Sequence, residues 1–130
     1  MKKWRWIRRD VVYAIHEQQL AEHGGAAGVP DPGRLEAALA RARHLDTYGR
    51  PDAPALASAY AFGILKNHPF VDGNKRTAWV VARLFLARNG YELRFDPAEA
   101  VRTIEAVAAG DLTESALARW FRARSSAVKR

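Results

Sequence analysis

The stretch that decides the fold of this chain is His68-Pro69-Phe70-Val71-Asp72-Gly73-Asn74-Lys75-Arg76-Thr77. It lies between two apolar segments, residues 53–65 and 78–87, which are rich in alanine, leucine and aromatic side chains. Residues of these types favour helices when they form long apolar runs with no internal breaker. The stretch therefore predicts a short loop that leaves one helix and enters the N-terminus of the next.

The second half of this loop predicts an anion site. The first N–H groups of a helix have no partner inside the helix, and the helix dipole is positive there. Lys75 and Arg76 add full positive charges to this end, where cations oppose the dipole, and a bound anion would remove that conflict. Gly73 supplies the backbone conformation that a phosphate cradle requires, and Asn74 either caps the helix or donates to a phosphate oxygen. We therefore predict that these four residues bind phosphates.

Two residues of the loop are candidates for chemistry. Imidazole titrates near pH 6.5, so His68 could accept a proton from a hydroxyl group at neutral pH, although a histidine at a helix end also interacts favourably with the dipole. Asp72 could cap the following helix, or it could be an oxygen ligand for Mg²⁺ between nucleotide phosphates. Phe70 is predicted to pin the loop to the core. The combination indicates a nucleotide-dependent transfer reaction.

The rest of the chain predicts one domain, residues 1–130, with an all-α fold. Asp10, Asp31 and Asp96 are predicted N-caps, and Gly90 is a predicted left-handed helix end. The predicted helices cover 11–22, 32–43, 54–67, 74–89, 97–109 and, after a turn over 110–113, the chain up to 124. We expect a compact bundle of about six helices around a buried central helix, and the apolar helix 74–89 is predicted to be that centre.

Three segments are predicted to be non-helical. Trp4, Trp6 and Ile7 alternate with cations, as in an edge strand or an arm, and residues 91–95 alternate like a brief strand. Residues 44–52 are predicted to form an irregular loop or a short hairpin, so that a β-hairpin flap is a further expectation. Residues 1–9 and 125–130 form a basic arm and a basic tail.

Composition excludes several classes of protein. The chain has no cysteine, which excludes disulfides, a thiolate nucleophile and a cysteine-ligated metal site. No apolar run is long enough to cross a bilayer, and the basic N-terminus lacks the apolar stretch of a signal peptide, so we expect a cytoplasmic protein without membrane contact. The net charge of +7 comes from the two ends, because residues 11–118 carry two more carboxylates than cations.

The stretch 68–77 resembles the signature loop of the Fic/Doc proteins, and in particular that of the Doc (death-on-curing) toxins. The resemblance extends to Ile15-His16, to the glycines between 24 and 28, to 31–34 and to 84–90. The general Fic signature has a glycine in place of Lys75 and an arginine in place of Trp79. Fic proteins with that glycine transfer AMP from ATP, whereas Doc proteins carry the lysine and bind ATP turned around, so that its terminal phosphate reaches the target.

The resemblance implies a protein kinase of a toxin–antitoxin pair. It implies that His68 is the general base, that Asp72 holds Mg²⁺, and that Asn74, Lys75 and Arg76 orient and neutralise the phosphates of ATP. The implied target is a threonine of translation elongation factor Tu, docked by a flap at residues 44–52. The implied partner is a Phd-like antitoxin, whose tail folds as a helix in a groove beside the site, and DNA contact would occur only through that antitoxin.

Two other functions remain open on the sequence. An AMP transferase would use the same fold, with Lys75 as the feature against it. A nucleic-acid-binding regulator would use the cationic ends, but it would leave His68, Asp72 and Asn74 without a role.

Overall fold

The computed structural model describes residues 3–28 and 30–128. Residues of the predicted arm, loop and tail that lie outside this part are Met1, Lys2, Val29, Lys129 and Arg130. The described chain forms six helices and a two-stranded antiparallel sheet, which confirms the all-α bundle. In chain order the elements are α1 (Arg9–His23), α2 (Pro32–Tyr48), α3 (Ala53–Asn67), α4 (Asn74–Arg88), β1 (Tyr91–Leu93), α5 (Pro97–Ala109), α6 (Glu114–Arg124) and β2 (Ser125–Ala127).

The central helix is α3, and this corrects the prediction that residues 74–89 form the centre. Eleven of the 15 residues of α3 are buried, compared with seven of 15 in α4. Helix α3 carries no charged residue before Lys66, so α2, α4 and α6 can all pack around it. Helix α4 carries exposed cations at Arg83 and Arg88 as well as at its N-terminus, and these keep part of its circumference in water.

Close packing of α2 on α3 depends on Gly63. A Cβ atom at this position would lie 2.8 Å from the backbone oxygen of Ala38 and 3.1 Å from its Cα. Only a residue without a side chain allows the two helix backbones to approach this closely. Side-chain caps then fix where most helices begin, and the capping residues that accept a backbone N–H are Asp31, Asp52, Asp96 and Thr113.

The predicted cap of the first helix is wrong. Helix α1 begins at Arg9 with Arg8 as its N-cap residue and no capping side chain. The Asp10 carboxylate instead accepts hydrogen bonds from the Arg8 guanidinium and from the N–H of Val11. An aspartate in the first turn still interacts favourably with the helix dipole, so α1 forms without the predicted cap.

The predicted loop or hairpin at 44–52 is wrong over 44–48, because α2 continues to Tyr48, and only residues 49–52 form a loop. No residue from 44 to 47 breaks a helix, and Thr47 Oγ1 donates to the carbonyl of Arg43 one turn earlier. Trp4 Nε1 donates to Asp46 Oδ1 and so ties this extra turn to the N-terminal arm. The helix ends only where Gly49 and Pro51 follow.

The β structure lies elsewhere. The predicted strand over 91–95 is present as β1, and it pairs antiparallel with β2, which the sequence did not predict, with Tyr91 opposite Ala127. The arm at 3–8 forms no strand. Trp4 and Trp6 instead pack against Phe85, with ring centroids 5.9 and 6.1 Å from it. Among residues 3–28 and 30–128, no helix is long and apolar enough to span a membrane.

The Gly63 contact yields a stability prediction. Replacing Gly63 with alanine puts a methyl group against the backbone of α2, so we expect unfolding to become easier by about 1–3 kcal/mol, as overpacked cores do. Gly33→Ala is the control, since its Cβ would have only Asp31 Oδ1 within 4 Å, at 3.5 Å, and we expect a change within about 0.5 kcal/mol. Urea unfolding followed by circular dichroism measures both, and equal effects would contradict the packing argument.

The pH dependence of stability is predicted from Asp52. The Arg122 guanidinium, which donates to both of its oxygens at 2.6 and 2.9 Å, lowers the pKa of Asp52 below its ordinary value, and the Ala55 N–H lowers it further. A carboxyl with a lowered pKa stabilises the fold above its unfolded pKa, and the effect disappears as pH falls through the lower folded value.

We therefore expect Asp52→Asn, which keeps a good cap but removes the charge, to cost about 0.5–1 kcal/mol near pH 7. The difference from wild type should vanish in acid below the folded pKa of Asp52. Asp111→Asn, at an exposed position, is the control. Unfolding curves from pH 7 to pH 2 measure the effect, and a constant difference across that range would rule out the ion pair as its cause.

Candidate active site

The site begins where α3 ends. His68 follows α3 in the left-handed conformation, with φ 51° and ψ 57°, and its N–H donates to the carbonyl of Ile64 at 3.0 Å. It is the one non-glycine residue with positive φ in the described part of the chain. This conformation is unfavourable for a residue with a side chain and is concentrated at functional positions. The turn ends the helix and leaves the His68 side chain exposed.

Two hydrogen bonds between Phe70 and Asn74 hold the loop in its conformation. The N–H of Phe70 donates to Asn74 Oδ1 at 3.2 Å, and Asn74 Nδ2 donates back to the carbonyl of Phe70 at 2.8 Å. Both side chains are buried, which agrees with the prediction that Phe70 pins the loop to the core. The amide of Asn74 is therefore engaged inside the loop, and its backbone N–H is the group left for a phosphate.

His16 supports the loop from α1, a role that the sequence reasoning missed. Its Nε2 donates to the carbonyl of Asp72 at 2.8 Å, because a carbonyl can only accept. Its ring stacks on Phe70 with a centroid distance of 3.8 Å and an interplanar angle of 8°. The side chain is 7% exposed. Only the resemblance at Ile15-His16 could have indicated it, since nothing in the spacing relates position 16 to position 72.

Asp72 has its carboxylate fixed by two backbone donors. Oδ1 accepts from the N–H of Gly73 at 2.8 Å, and Oδ2 accepts from the N–H of Ala26 at 3.2 Å. The Ala26 and Gly73 N–H groups, helped by the nearby charge of Arg76, lower the pKa of Asp72 below its ordinary value. The group is therefore ionised at neutral pH, as a ligand for a divalent cation must be.

The segment that borders this carboxylate is the glycine loop at 24–28, while none of the residues 44–52 lines the cavity described below. A Cβ at Gly25, where φ is +125°, would lie 2.9 Å from Asp72 Oδ2. A Cβ at Gly28 would overlap the side chain of Val71. The two glycines thus allow the backbone of this loop to lie directly against 71–72.

The N-terminus of α4 is uncapped. Its N-cap residue is Gly73, with φ 81°, and no side chain caps the helix, so the alternative role of Asp72 as the N-cap is wrong. Asp72 bonds Gly73 and Ala26 instead. Lys75 and Arg76 lie exposed in the first turn, and no hydrogen bond or ion pair engages either side chain within residues 3–28 and 30–128. Three N–H groups and two cations therefore meet at one helix end, and the Asp72 carboxylate is the negative charge beside them.

One cavity brings all the predicted site residues together. It has a volume of about 770 Å³, and His68, Asp72, Gly73, Asn74, Lys75 and Arg76 line its polar end. The rest is an apolar arm along α5, lined by Leu65, Trp79, Phe95, Pro97, Ala100, Val101, Ile104 and Ala108, with Glu105 at the same wall. The cavity thus has a polar end with Lys75 and Arg76, with His68 beside it, and an apolar continuation.

Comparison with known proteins agrees with this geometry. The model of the Fic/DOC family matches residues 6–86. The chain belongs to this family. The matched segment runs from the N-terminal arm into α4 and includes His16, the glycine loop and the whole signature stretch. Helix α5, which forms the apolar wall of the cavity, lies outside it.

Two curated members of the Fic/DOC family are similar to the chain. Protein kinase doc of Escherichia phage P1 is 34% identical over 115 residues, which cover 88% of this chain and 90% of that protein. Toxin Doc of Mycolicibacterium smegmatis is 45% identical over 76 residues, which cover 56% of this chain and 58% of that protein.

The role of His16 gives a prediction that does not depend on activity. His16→Phe keeps a ring against Phe70 but removes the donor to Asp72, so we expect a loss of about 1 kcal/mol in the free energy of unfolding. Amide exchange at Gly73 should become faster. His44→Phe, at an exposed position of α2, should change stability by less than about 0.5 kcal/mol. Urea unfolding and hydrogen exchange measure these effects, and unchanged exchange at Gly73 would mean that the bond does not hold the loop.

Proposed function

We propose that this chain is a Doc-like toxin that transfers the γ-phosphate of ATP to a serine or threonine hydroxyl of an elongation factor Tu-like translation factor and so arrests translation. The observation that carries the proposal is the uncapped N-terminus of α4, where Lys75 and Arg76 line the same cavity as His68. The names of the similar proteins, a protein kinase and a toxin, support the same class of activity.

The phosphates of ATP fit the polar end of the cavity. The free N–H groups of Asn74, Lys75 and Arg76 are donors at the positive end of α4, and the two cationic side chains add charge. Phosphoryl transfer demands positioning and charge stabilisation more than covalent chemistry by the protein, and these groups provide both. A bound polyphosphate would also relieve the repulsion that the cations now experience from the helix dipole.

Asp72 is the residue that would hold Mg²⁺. Mg²⁺ is commonly bound by one or two carboxylates together with substrate phosphates and water, so a single ionised aspartate beside a phosphate site fits this ion. When bound, the ion would supply positive charge that neutralises part of the phosphate charge. The Ala26 and Gly73 N–H groups, together with the His16 bond to the Asp72 carbonyl, fix the orientation of the carboxylate.

His68 would act as the general base. The hydroxyl oxygen of the acceptor attacks the terminal phosphorus, the bond from that phosphorus to the bridging oxygen breaks, and ADP leaves. The hydroxyl proton moves to a ring nitrogen of His68. An exposed imidazole at the junction of α3 and the loop can be reached by a macromolecular hydroxyl, and proton transfer by a positioned base contributes roughly 10²- to 10⁴-fold.

The choice between γ-phosphate and AMP transfer rests on Lys75. Its side chain lines the cavity in the first turn of α4, where a glycine would leave the backbone open to a phosphate. This favours the Doc type of transfer over AMP transfer. A nucleic-acid-binding function would leave this cavity unused.

The partner that we propose is a Phd-like antitoxin. The apolar arm of the cavity, in which Val101 is 60% exposed, has the character of a groove for an amphipathic helix. A helix lying there would border the polar end and restrict access to it. In this proposal the protein acts in the cytoplasm and contacts DNA only through the antitoxin.

Label transfer tests the reaction. We expect a bacterial lysate incubated with the protein and ATP to incorporate label from the γ position into a protein and none from the α position. His68→Ala should lower the rate by at least about 100-fold, because it removes the base. His44→Ala, an exposed histidine outside the cavity, is the matched control and should label at the wild-type rate.

Transfer of α label would replace the kinase by an AMP transferase. A fully active His68→Ala variant would overturn the assignment of the base. The same variants expressed in cells give an independent measurement, since growth arrest should be lost with His68→Ala and retained with His44→Ala at equal protein abundance.

A further inference from the structure

A second cavity opens on the other side of His68. It has a volume of about 640 Å³ and lies between the N-terminus of α2 and the C-terminus of α3. Its lining residues are Asp31, Gly33, Arg34, Ala37, Lys66, Asn67 and His68. Among the described residues, His68 alone lines both this cavity and the larger one. The two cavities therefore border each other at His68.

We propose that the acceptor protein docks on this smaller cavity, through an acidic segment next to the reacting hydroxyl that contacts Arg34 and Lys66. This inference rests on the proposed transfer reaction and adds the binding surface for its second substrate. In phosphoryl transfer the attacking and leaving oxygens lie roughly in line on opposite sides of the phosphorus. An acceptor must therefore approach from a side that the nucleotide does not fill, within hydrogen-bonding reach of the base.

The charges of the smaller cavity select an acidic partner. The side chain of Arg34 is 61% exposed, and Lys66 has no ion pair within residues 3–28 and 30–128. The one carboxylate of the lining, Asp31, is already engaged, since it accepts the N–H of Arg34 at 3.0 Å and lies 3.6 Å from its guanidinium. The N-terminus of α2, which Asp31 caps, borders the same space. Carboxylates of an acceptor would be attracted there, and this would also speed association.

The chemistry of the lining does not fit a second nucleotide. It has no aromatic side chain except His68 itself, and Ala37 is its one apolar side chain. A nucleobase prefers an apolar or aromatic pocket, which the arm of the larger cavity offers and this surface does not. A solvated polar surface of this kind resembles the rim of a transient protein interface.

Two hydrogen bonds to backbone carbonyls fix the position of this surface relative to His68. Asn67 Nδ2 donates to the carbonyl of Arg34 at 3.0 Å and so joins the end of α3 to the start of α2. The N–H of Asp31 donates to the carbonyl of Pro69 at 2.7 Å and joins the same end of α2 to the signature loop. A segment bound at Arg34 and Lys66 would therefore present its hydroxyl at a defined distance from His68.

Charge reversal tests the surface. Arg34→Glu, Lys66→Glu and the double variant are compared with Arg119→Glu, an exposed position on α6 that lines neither cavity. The acceptor is a nucleotide-free bacterial lysate without kinase activity of its own, titrated at saturating γ-labelled ATP. Calorimetry with magnesium and a non-hydrolysable ATP analogue reports nucleotide affinity separately.

We expect each single reversal to raise the half-saturating lysate concentration at least about tenfold and the double variant to raise it further, with the maximal rate kept. Nucleotide affinity should stay within about twofold of wild type, and Arg119→Glu should behave as wild type. Arg34→Gln and Lys66→Gln should give smaller effects of the same direction, which covers the case in which a reversal fails to fold. Added salt should weaken acceptor use by wild type more than by the double variant.

Three outcomes would overturn the inference. An unchanged half-saturating concentration in the double variant would place the acceptor elsewhere and leave the proposed reaction standing. A parallel loss of nucleotide affinity would assign the two cations to the nucleotide. Absence of γ-label transfer by wild type would remove the proposed function and this inference together.

Discussion

The site depends on the pair of hydrogen bonds between Phe70 and Asn74. These bonds close the loop from inside, with both partners buried, and each is worth about 0.5–1.5 kcal/mol where its geometry is good. Because the Asn74 amide is used in this way, it cannot cap its own helix. The result is a rigid loop that ends at an uncapped helix N-terminus. The uncapped helix start, which we propose as the anion site, is a direct consequence of how the loop is closed.

Several features of the site lower stability. A left-handed His68, a helix start without a capping side chain, and cations at the positive end of α4 each cost about 1 kcal/mol or a fraction of it. Such costs are large against a net stability of roughly 5–15 kcal/mol. They are concentrated within nine residues, 68–76, while four of the other five helix starts, at 31, 52, 96 and 113, have a capping side chain. Several residues thus depart from the usual conformational and charge preferences of helix ends at the one place where a bound ligand can offset the cost.

The sequence predicted most of the fold because its signals were local. Aspartate followed at once by proline marked the starts of α2 and α5, and the apolar runs marked α3 and α4. The errors came from non-local causes. The last turn of α2 survives because Trp4 holds Asp46, and β2 exists only because β1 lies beside it. The centre of the bundle is α3 rather than α4, since burial is decided by the partners around a helix as well as by its own apolar circumference.

The candidate site was predictable in part for the same reason. The six predicted site residues were found because all of them lie within the nine residues from His68 to Arg76, and a loop between two helices necessarily brings them together. His16 and the glycine loop come from α1 and from the segment after it, and only the fold places them on Asp72. Neither a lone histidine nor a run of glycines predicts a contact 46 or 56 positions away.

The arrangement around His68 links these observations. If α3 continued as a regular helix, His68 would not lie where the two cavities border each other. A flexible helix end would not hold its imidazole there. The left-handed turn ends the helix at this residue, while Asn67 and Asp31 tie the same corner to α2 through backbone carbonyls. A general base that serves ATP and a protein acceptor, as we propose for His68, must be accessible from both sides yet fixed in position. The left-handed conformation of His68 meets both requirements in this proposal, because it ends α3 at His68 and fixes the position of that residue.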